Sequence, residues 1–153
     1  ERERQRVGLR QSLEGELDEV RSKHSGAAIT VSGSIPAVSV VADEMLDSAF
    51  RNLLVNAIQH NDREVPEVEI SVTERSETVV VRIADNGPGV PDGQKESIFG
   101  KGEKGLESSG TGIGLYLVET LIEAYGGDVW VEDNEPRGAV FVVELPKVEP
   151  ASS

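Results

Sequence analysis

The stretch from Asp43 to Asn61 constrains this chain more than any other. Met45, Leu46, Ala49, Phe50, Leu53, Leu54, Ala57 and Ile58 recur at spacings of three and four, which sets them on one face of a helix. Asp43 suits the cap, and Glu44 and Asp47 suit the positive end of the helix dipole. Asn52 and Asn56 break the plain amphipathic pattern. Four residues apart, they share a face and stand about 5–6 Å from each other at Cβ. Asn is a poor helix-interior residue because its amide competes with the backbone. Two of them beside an apolar stripe belong either to a solvated polar face or to a site that gives them partners.

At 153 residues with 37% hydrophobic content, the chain suits one soluble, globular domain with a real core. No apolar run approaches the roughly eighteen residues of a membrane span. The charged start is no secretory signal, and the lack of an initial Met reads as a piece of a longer protein. With 0 cysteines and 2 histidines, disulfides, thiolate metal sites and histidine-rich metal sites are excluded. The formal net charge of −13 argues against nucleic acid as a partner, since phosphate backbones need a basic face.

In order along the chain, residues 1–8 are charged and lack an apolar face, so they read as a linker or the tail of a preceding helical domain. Leu9, Leu13, Leu17 and Val20 give a helical stripe that stops near Ser25-Gly26. Ala27–Val31 and Val38–Val41 read as two strands joined by a tight loop. After the asparagine-bearing helix, Val68, Ile70 and Val72 alternate with polar residues, and Thr78–Ala84 follows as the second arm of a long hairpin. A short helical piece is expected near Gln94–Phe99. Residues 100–110, rich in Gly, Ser and Lys, cannot pack a core and are expected to be mobile. A third helix spans Thr111–Tyr125 and stops at Gly126-Gly127. Val129–Val131 and Ala139–Leu145 close the domain, and residues 147–153 trail off as a flexible tail. The expected fold is an α/β two-layer sandwich over residues 9–146, a mixed, mostly antiparallel sheet covered on one face by three helices.

Three stretches carry chemistry. Amide oxygens are hard ligands, and Mg²⁺ takes few protein oxygens beside waters and substrate phosphates, so an Asn on a rigid helix can anchor a magnesium–triphosphate. Asp85, followed by Asn86-Gly87-Pro88-Gly89, ends a strand. Its carboxylate can accept from an exocyclic amine such as that of adenine, while the glycines let the backbone turn beneath a flat ring. The same five residues are also good turn chemistry. Gly110-Thr111-Gly112-Ile113-Gly114-Leu115 opens a helix, whose free N–H groups and dipole suit an anion. It is neither a dinucleotide fingerprint nor a P-loop.

In this order and spacing, the three stretches resemble the ATP-binding catalytic domain of sensor histidine kinases, relatives of the gyrase-type and large heat-shock chaperone ATPases. Asn52-Leu53-Leu54-Val55-Asn56-Ala57 is similar to the family's asparagine box. Asp85-Asn86-Gly87-Pro88-Gly89 and Gly110-Thr111-Gly112-Ile113-Gly114-Leu115 are similar to its two glycine boxes, and Ile98-Phe99 to its phenylalanine box. The resemblance implies a Bergerat-type ATP-binding fold, Mg²⁺ on Asn56 with Asn52 in support, and adenine read by Asp85. It also implies a pocket shaped by Gly87 and Gly89, and backbone amides of Gly110, Thr111, Gly112, Gly114 and Leu115 near the phosphates. Residues 100–110 would form a lid. His60 would stand on the ribose or phosphate side, with an ordinary surface residue as the other reading.

Gln59 stands where many such kinases have a Lys; Lys101 or Lys104 would replace that phosphate contact, with a solvated surface charge as the default reading for either. Asn52 stands where the hydrolysing relatives have a Glu. An amide takes no proton from water at neutral pH, so the chain looks built to hold ATP rather than hydrolyse it. The family passes the γ-phosphate to a histidine on a separate helical dimerisation domain, in a His-Glu/Asp segment with Pro five residues on. Neither His24 nor His60 has that setting. The resemblance therefore implies a cytoplasmic, monomeric piece of a homodimeric kinase, with the dimerisation and phosphoacceptor domain and a response regulator as partners. Membrane anchoring of the full-length protein stays open. A serine kinase of an anti-sigma switch, a nucleotide-binding module without transfer, and a hydrolysing ATPase are the other readings.

The acidic surface itself leaves two readings, an ordinary acidic protein or one suited to a salt-rich cytoplasm. Under the second, screening relieves self-repulsion, and the unfolding midpoint rises from low to molar KCl. A flat midpoint contradicts it.

Overall fold

A computed structural model describes residues 3–99 and 111–148. In chain order the elements are β1 (Gln5–Gly8), α1 (Leu9–Lys23), β2 (Ala28–Val31), β3 (Ser39–Ala42), α2 (Met45–Gln59), β4 (Glu67–Glu74), β5 (Thr78–Asp85), α3 (Thr111–Ala124), β6 (Asp128–Asp133) and β7 (Ala139–Pro146). Two 3-10 turns, Asp92–Gln94 and Ser97–Phe99, stand between β5 and α3. Five strands form one sheet in the order β2-β4-β5-β7-β6. Only the β2–β4 pair is parallel. This is the expected mixed, mostly antiparallel sheet with three helices.

Alternation along each strand sorts residues between the two faces. Val68 and Ile70 of β4, Val79, Val81 and Ile83 of β5, and Phe141, Val143 and Leu145 of β7 point into the main core with the helices. Val80, Val140 and Val142 form a smaller cluster on the other face, flanked by Ala84 and Trp130. Arg82 and Trp130 both bond to Glu132 across that second patch.

The periodicity of α2 is realised as expected. Leu46, Ala49, Phe50, Leu53, Leu54 and Ala57 are all buried. Asp43 caps it, accepting the Met45 N–H at 2.9 Å, and also receives the Tyr125 hydroxyl proton from the end of α3. The end of α3 is a Schellman closure: Gly126, at φ +87°, donates to the Glu123 carbonyl, and Gly127 donates to that of Ile122. Phe99 is buried against Phe141, edge to face with centroids 6.1 Å apart, so the 3-10 turn before residue 100 is pinned to the core.

Two expectations need correction. Gln5–Gly8, read as part of a linker, is a strand paired antiparallel with β3. Its one apolar residue, Val7, gives no period to read; backbone pairing makes the strand. The two short strands after α1 do not pair with each other. β2 joins the main sheet beside β4, and β3 joins β1 in a separate two-stranded sheet. Residues 100–110 and the tail from 149 lie outside the described residues. Among the described residues, no helix is long and apolar enough to cross a membrane.

Phe50 is fully buried at the centre of this arrangement. Phe50→Ala is expected to cost about 3–5 kcal/mol, read as a lower urea midpoint at unchanged slope. A loss under about 1 kcal/mol would mean that α2 is not what the core is packed on.

Candidate nucleotide site

Along α2, Asn52, Asn56 and His60 follow one another at intervals of four. Each interval advances about 6 Å along the axis, so the three mark a line of about 12 Å, the scale of an extended nucleoside triphosphate. The start of α3 stands at one end of this line. A Cβ on Gly114 would lie 2.7 Å from Asn52 Oδ1, so a glycine is what lets the two helices approach. The loop after β5 stands at the other end. A Cβ on Gly87 would lie 3.3 Å from Asn61 Cα and from the His60 carbonyl oxygen. Gly89 takes φ +84°, a left-handed conformation that favours glycine.

Asn52 and Asn56 differ in what binds them. Asn52 Nδ2 donates to the Ser48 carbonyl at 2.8 Å, which ties the amide to its own helix. Asn56 is buried, 7% exposed, and its side chain has no hydrogen bond among the described residues. Yet no enclosed polar side-chain atom among those residues lacks a partner, so the Asn56 amide keeps some access to solvent. A buried amide held open to one side fits a cation. Among the described residues, no three carboxylates or imidazoles gather to hold a metal. A metal here would rest on one amide oxygen and otherwise on substrate and water, as Mg²⁺ does.

Asp85 is the last residue of β5 and lies on the helix side of the sheet, in line with Val81 and Ile83. It is 8% exposed. Its Oδ1 accepts the Gly87 N–H at 2.9 Å and the Ala139 N–H at 3.1 Å. No hydrogen bond reaches Oδ2 from the described residues, which leaves that atom for a ligand. Burial pushes the carboxyl above its ordinary range, opposed by the two backbone N–H bonds and then by the charges of Arg137 and His60. A raised acid adds stability that is whole below its unfolded pKa and fades as pH rises through its folded one. The ionised form of Asp85 is therefore a burden on the fold.

Residues that sequence reasoning did not single out hold this carboxylate. Asn134 Nδ2 donates to the Asp85 carbonyl at 2.8 Å. The Asn86 side chain accepts from Asn61 Nδ2 at 2.7 Å and from the Glu67 N–H at 3.0 Å. Arg137 forms a two-pronged pair with Asp62, both contacts 3.0 Å, and donates to the Asn86 carbonyl at 3.1 Å. The one sequence signal for them is turn chemistry on both sides of Asp85.

The structure thus brings Asn52, Asn56, His60, Asp85, Gly87 and Gly114 to one side of α2, with Gly89 in the adjoining loop. Thr111 and Gly112 lie in the first turn of α3. Leu115 is buried in the main core, 5% exposed. Gly110, Lys101 and Lys104 lie outside the described residues.

Residues 42–149 match the family model described as "Histidine kinase-, DNA gyrase B-, and HSP90-like ATPase". The methanogenesis regulatory histidine kinase FilI of Methanothrix harundinacea is 34% identical over 141 residues, 90% of this chain. This chain spans only 16% of FilI's length. A nucleotide-free catalytic domain of the histidine kinase ThkA superposes with a TM-score of 0.83 at 27% identity, covering 95% of this chain and 96% of that one. Full-length ShkA in complex with AMPPNP superposes at 0.78 and 27% identity, covering 99% of this chain and 32% of that one. Fold and family model agree: this chain belongs to the histidine kinase-, DNA gyrase B- and HSP90-like ATPases.

Proposed function

We propose that this chain is the catalytic domain of a sensor histidine kinase, which binds Mg·ATP and donates the γ-phosphate to a histidine on a separate helical dimerisation domain. The observation that carries the reading is the Asp85 carboxylate. It is buried at the end of a strand, with one oxygen locked by two backbone N–H groups and the other left open. An oriented acceptor of this kind selects a ring that carries an amine. The solved complex of ShkA with AMPPNP, a nucleotide analogue, supports ATP as the substrate.

Each residue then has a task. Asp85 Oδ2 accepts from the adenine amine, and Gly87 and Gly89 keep the loop beneath the ring free of side chains. Asn56 offers its amide oxygen to Mg²⁺, and Asn52 braces the start of α3. The free N–H groups of that first turn, those of Thr111, Gly112 and Ile113, suit the phosphate end, with Gly114 and Leu115 next in the turn. His60 flanks the line between base and phosphates. Gly110 and Lys101, which lie outside the described residues, are assigned to the nucleotide from the sequence motif alone. Asn56 would hold Mg²⁺ through its amide oxygen, and the metal would supply charge neutralisation for the triphosphate. With no carboxylate at position 52, the domain has no base there to activate water. Transfer rests on positioning the γ-phosphate for an incoming imidazole.

The partners under this reading are the dimerisation and phosphoacceptor domain of the same homodimeric protein, then a response regulator. Phosphohistidine formed when the helical acceptor domain is supplied in trans supports transfer. Its absence, with ATP bound, leaves a nucleotide-binding module. Steady phosphate release by the domain alone would instead mark a hydrolase.

Titration of ATP with and without Mg²⁺ tests the site. Asn56→Ala is expected to lose the Mg²⁺ dependence. Asp85→Asn should weaken ATP at least tenfold and abolish preference for adenine, at about 1.5–3 kcal/mol for a hydrogen bond to a charged group. An Asn can keep both backbone bonds to Oδ1 without the buried charge, so at pH 7 Asp85→Asn unfolds no lower than wild type. Its advantage shrinks as pH falls through the raised folded-state pKa of Asp85 and is gone below the ordinary Asp range. Equal ATP binding by all three proteins would remove the proposed roles.

A further inference from the structure

We propose that Arg137 is a positioning residue for the nucleotide: by clamping Asp62 and the Asn86 carbonyl, it orients the peptide that fixes the Asp85 carboxylate. This rests on the ATP-binding reading of the site.

The geometry turns on two peptide planes. The Asn86 carbonyl and the Gly87 N–H belong to one planar unit, so holding one end directs the other. Arg137 Nη1 donates to the carbonyl at 3.1 Å, while the N–H at the opposite edge reaches Asp85 Oδ1 at 2.9 Å. The Gly138 carbonyl and the Ala139 N–H form the second unit. The Asn134 N–H holds that carbonyl at 2.9 Å, and the Ala139 N–H reaches the same Oδ1 at 3.1 Å. Both donors that aim Asp85 are therefore set from behind by the turn between β6 and β7. Gly138, at φ +112°, brings that turn against Asp85. A Cβ there would fall 2.0 Å from the Asp85 carbonyl oxygen.

Arg137 adds what the turn alone lacks, a link to α2. Its two-pronged bond to Asp62 needs a planar fork, and the third donation to Asn86 needs a further N–H. A Lys ammonium has no such fork. The pair with Asp62 is formed at neutral pH, since Arg137 holds that carboxyl below its ordinary range. A surface ion pair contributes little stability, and the Asn134–Gly138 bond closes the turn without it. What Arg137 supplies is a fixed relation among the exit of α2, the loop after β5 and the β6–β7 turn.

Arg137 also acts on Asp85 through charge, favouring the ionised form, as His60 does. The other charged groups lining the cleft behind Asp85 are Arg63, Glu64, Glu67, Glu69 and Glu135. These stay constant when position 137 is changed.

The test is ATP affinity from about pH 5 to pH 8 for wild type, Arg137→Ala and Arg137→Lys, with thermal unfolding of each. Arg137→Ala is expected to bind ATP about tenfold more weakly, to unfold close to wild type, and to lose affinity at a higher pH as acid is added. Arg137→Lys should also bind more weakly but keep the wild-type acid limb, because the charge remains. Wild-type affinity and pH profile in Arg137→Ala would overturn the proposal. So would a loss that tracks a lower unfolding temperature with the limb unmoved, the mark of a merely structural role. If wild type itself does not bind ATP, the site reading falls and Arg137 with it. If wild type binds and Arg137→Ala matches it, Arg137 falls alone.

Discussion

A single carboxylate, placed where water scarcely reaches it, is the constraint on which the rest of the structure depends. Asp85 sits 8% exposed at the end of β5. Burying a charge is costly unless bonds compensate. Two backbone N–H groups satisfy one oxygen and leave the second for a ligand. The fold supplies those donors from two places far apart in sequence, the loop after β5 and the start of β7. Antiparallel pairing of β5 with β7 brings the two together, since Ala84 stands opposite Val140. The sheet order is thus a condition of the site as well as of the core.

The helices answer a second need, to hold polar groups at a fixed distance from that carboxylate. α2 buries six apolar side chains against the sheet and α3, which leaves little freedom to the face bearing Asn52, Asn56 and His60. Gly114 lets α3 come against Asn52, and Gly87 lets the β5 loop come against His60 and Asn61. These glycines first permit close packing, and through it they set where the walls of the cleft stand. Phe99, packed on Phe141, anchors the chain just before residue 100.

Much of this was legible in the sequence, for physical reasons that vary by element. α2 and α3 announce themselves by apolar spacing, and β4 and β5 by alternation and the turn between them. Asn52 and Asn56 stood out because each is a poor choice for a helix interior unless it has a task, and Asp85, in good turn chemistry by itself, stood out only through its order and spacing with the other motifs. β1 was not legible, since a four-residue strand with Val7 as its only apolar residue has no period. Nor was the separation of β2 from β3, because partner choice among short strands is settled by distant chain. The frame around Asp85 was hidden for the same reason. Asn61 meets Asn86 across 25 positions and Arg137 meets Asn86 across 51, while Asn, Asp, Arg and Gly in loops look like ordinary turn residues.

The most direct measurement is a crystal structure of this chain with Mg²⁺ and a non-hydrolysable ATP analogue. The expected result is a purine amine on Asp85 Oδ2 and the metal on the Asn56 amide oxygen. A base seated away from Asp85, or an empty cleft at saturating nucleotide, would contradict it.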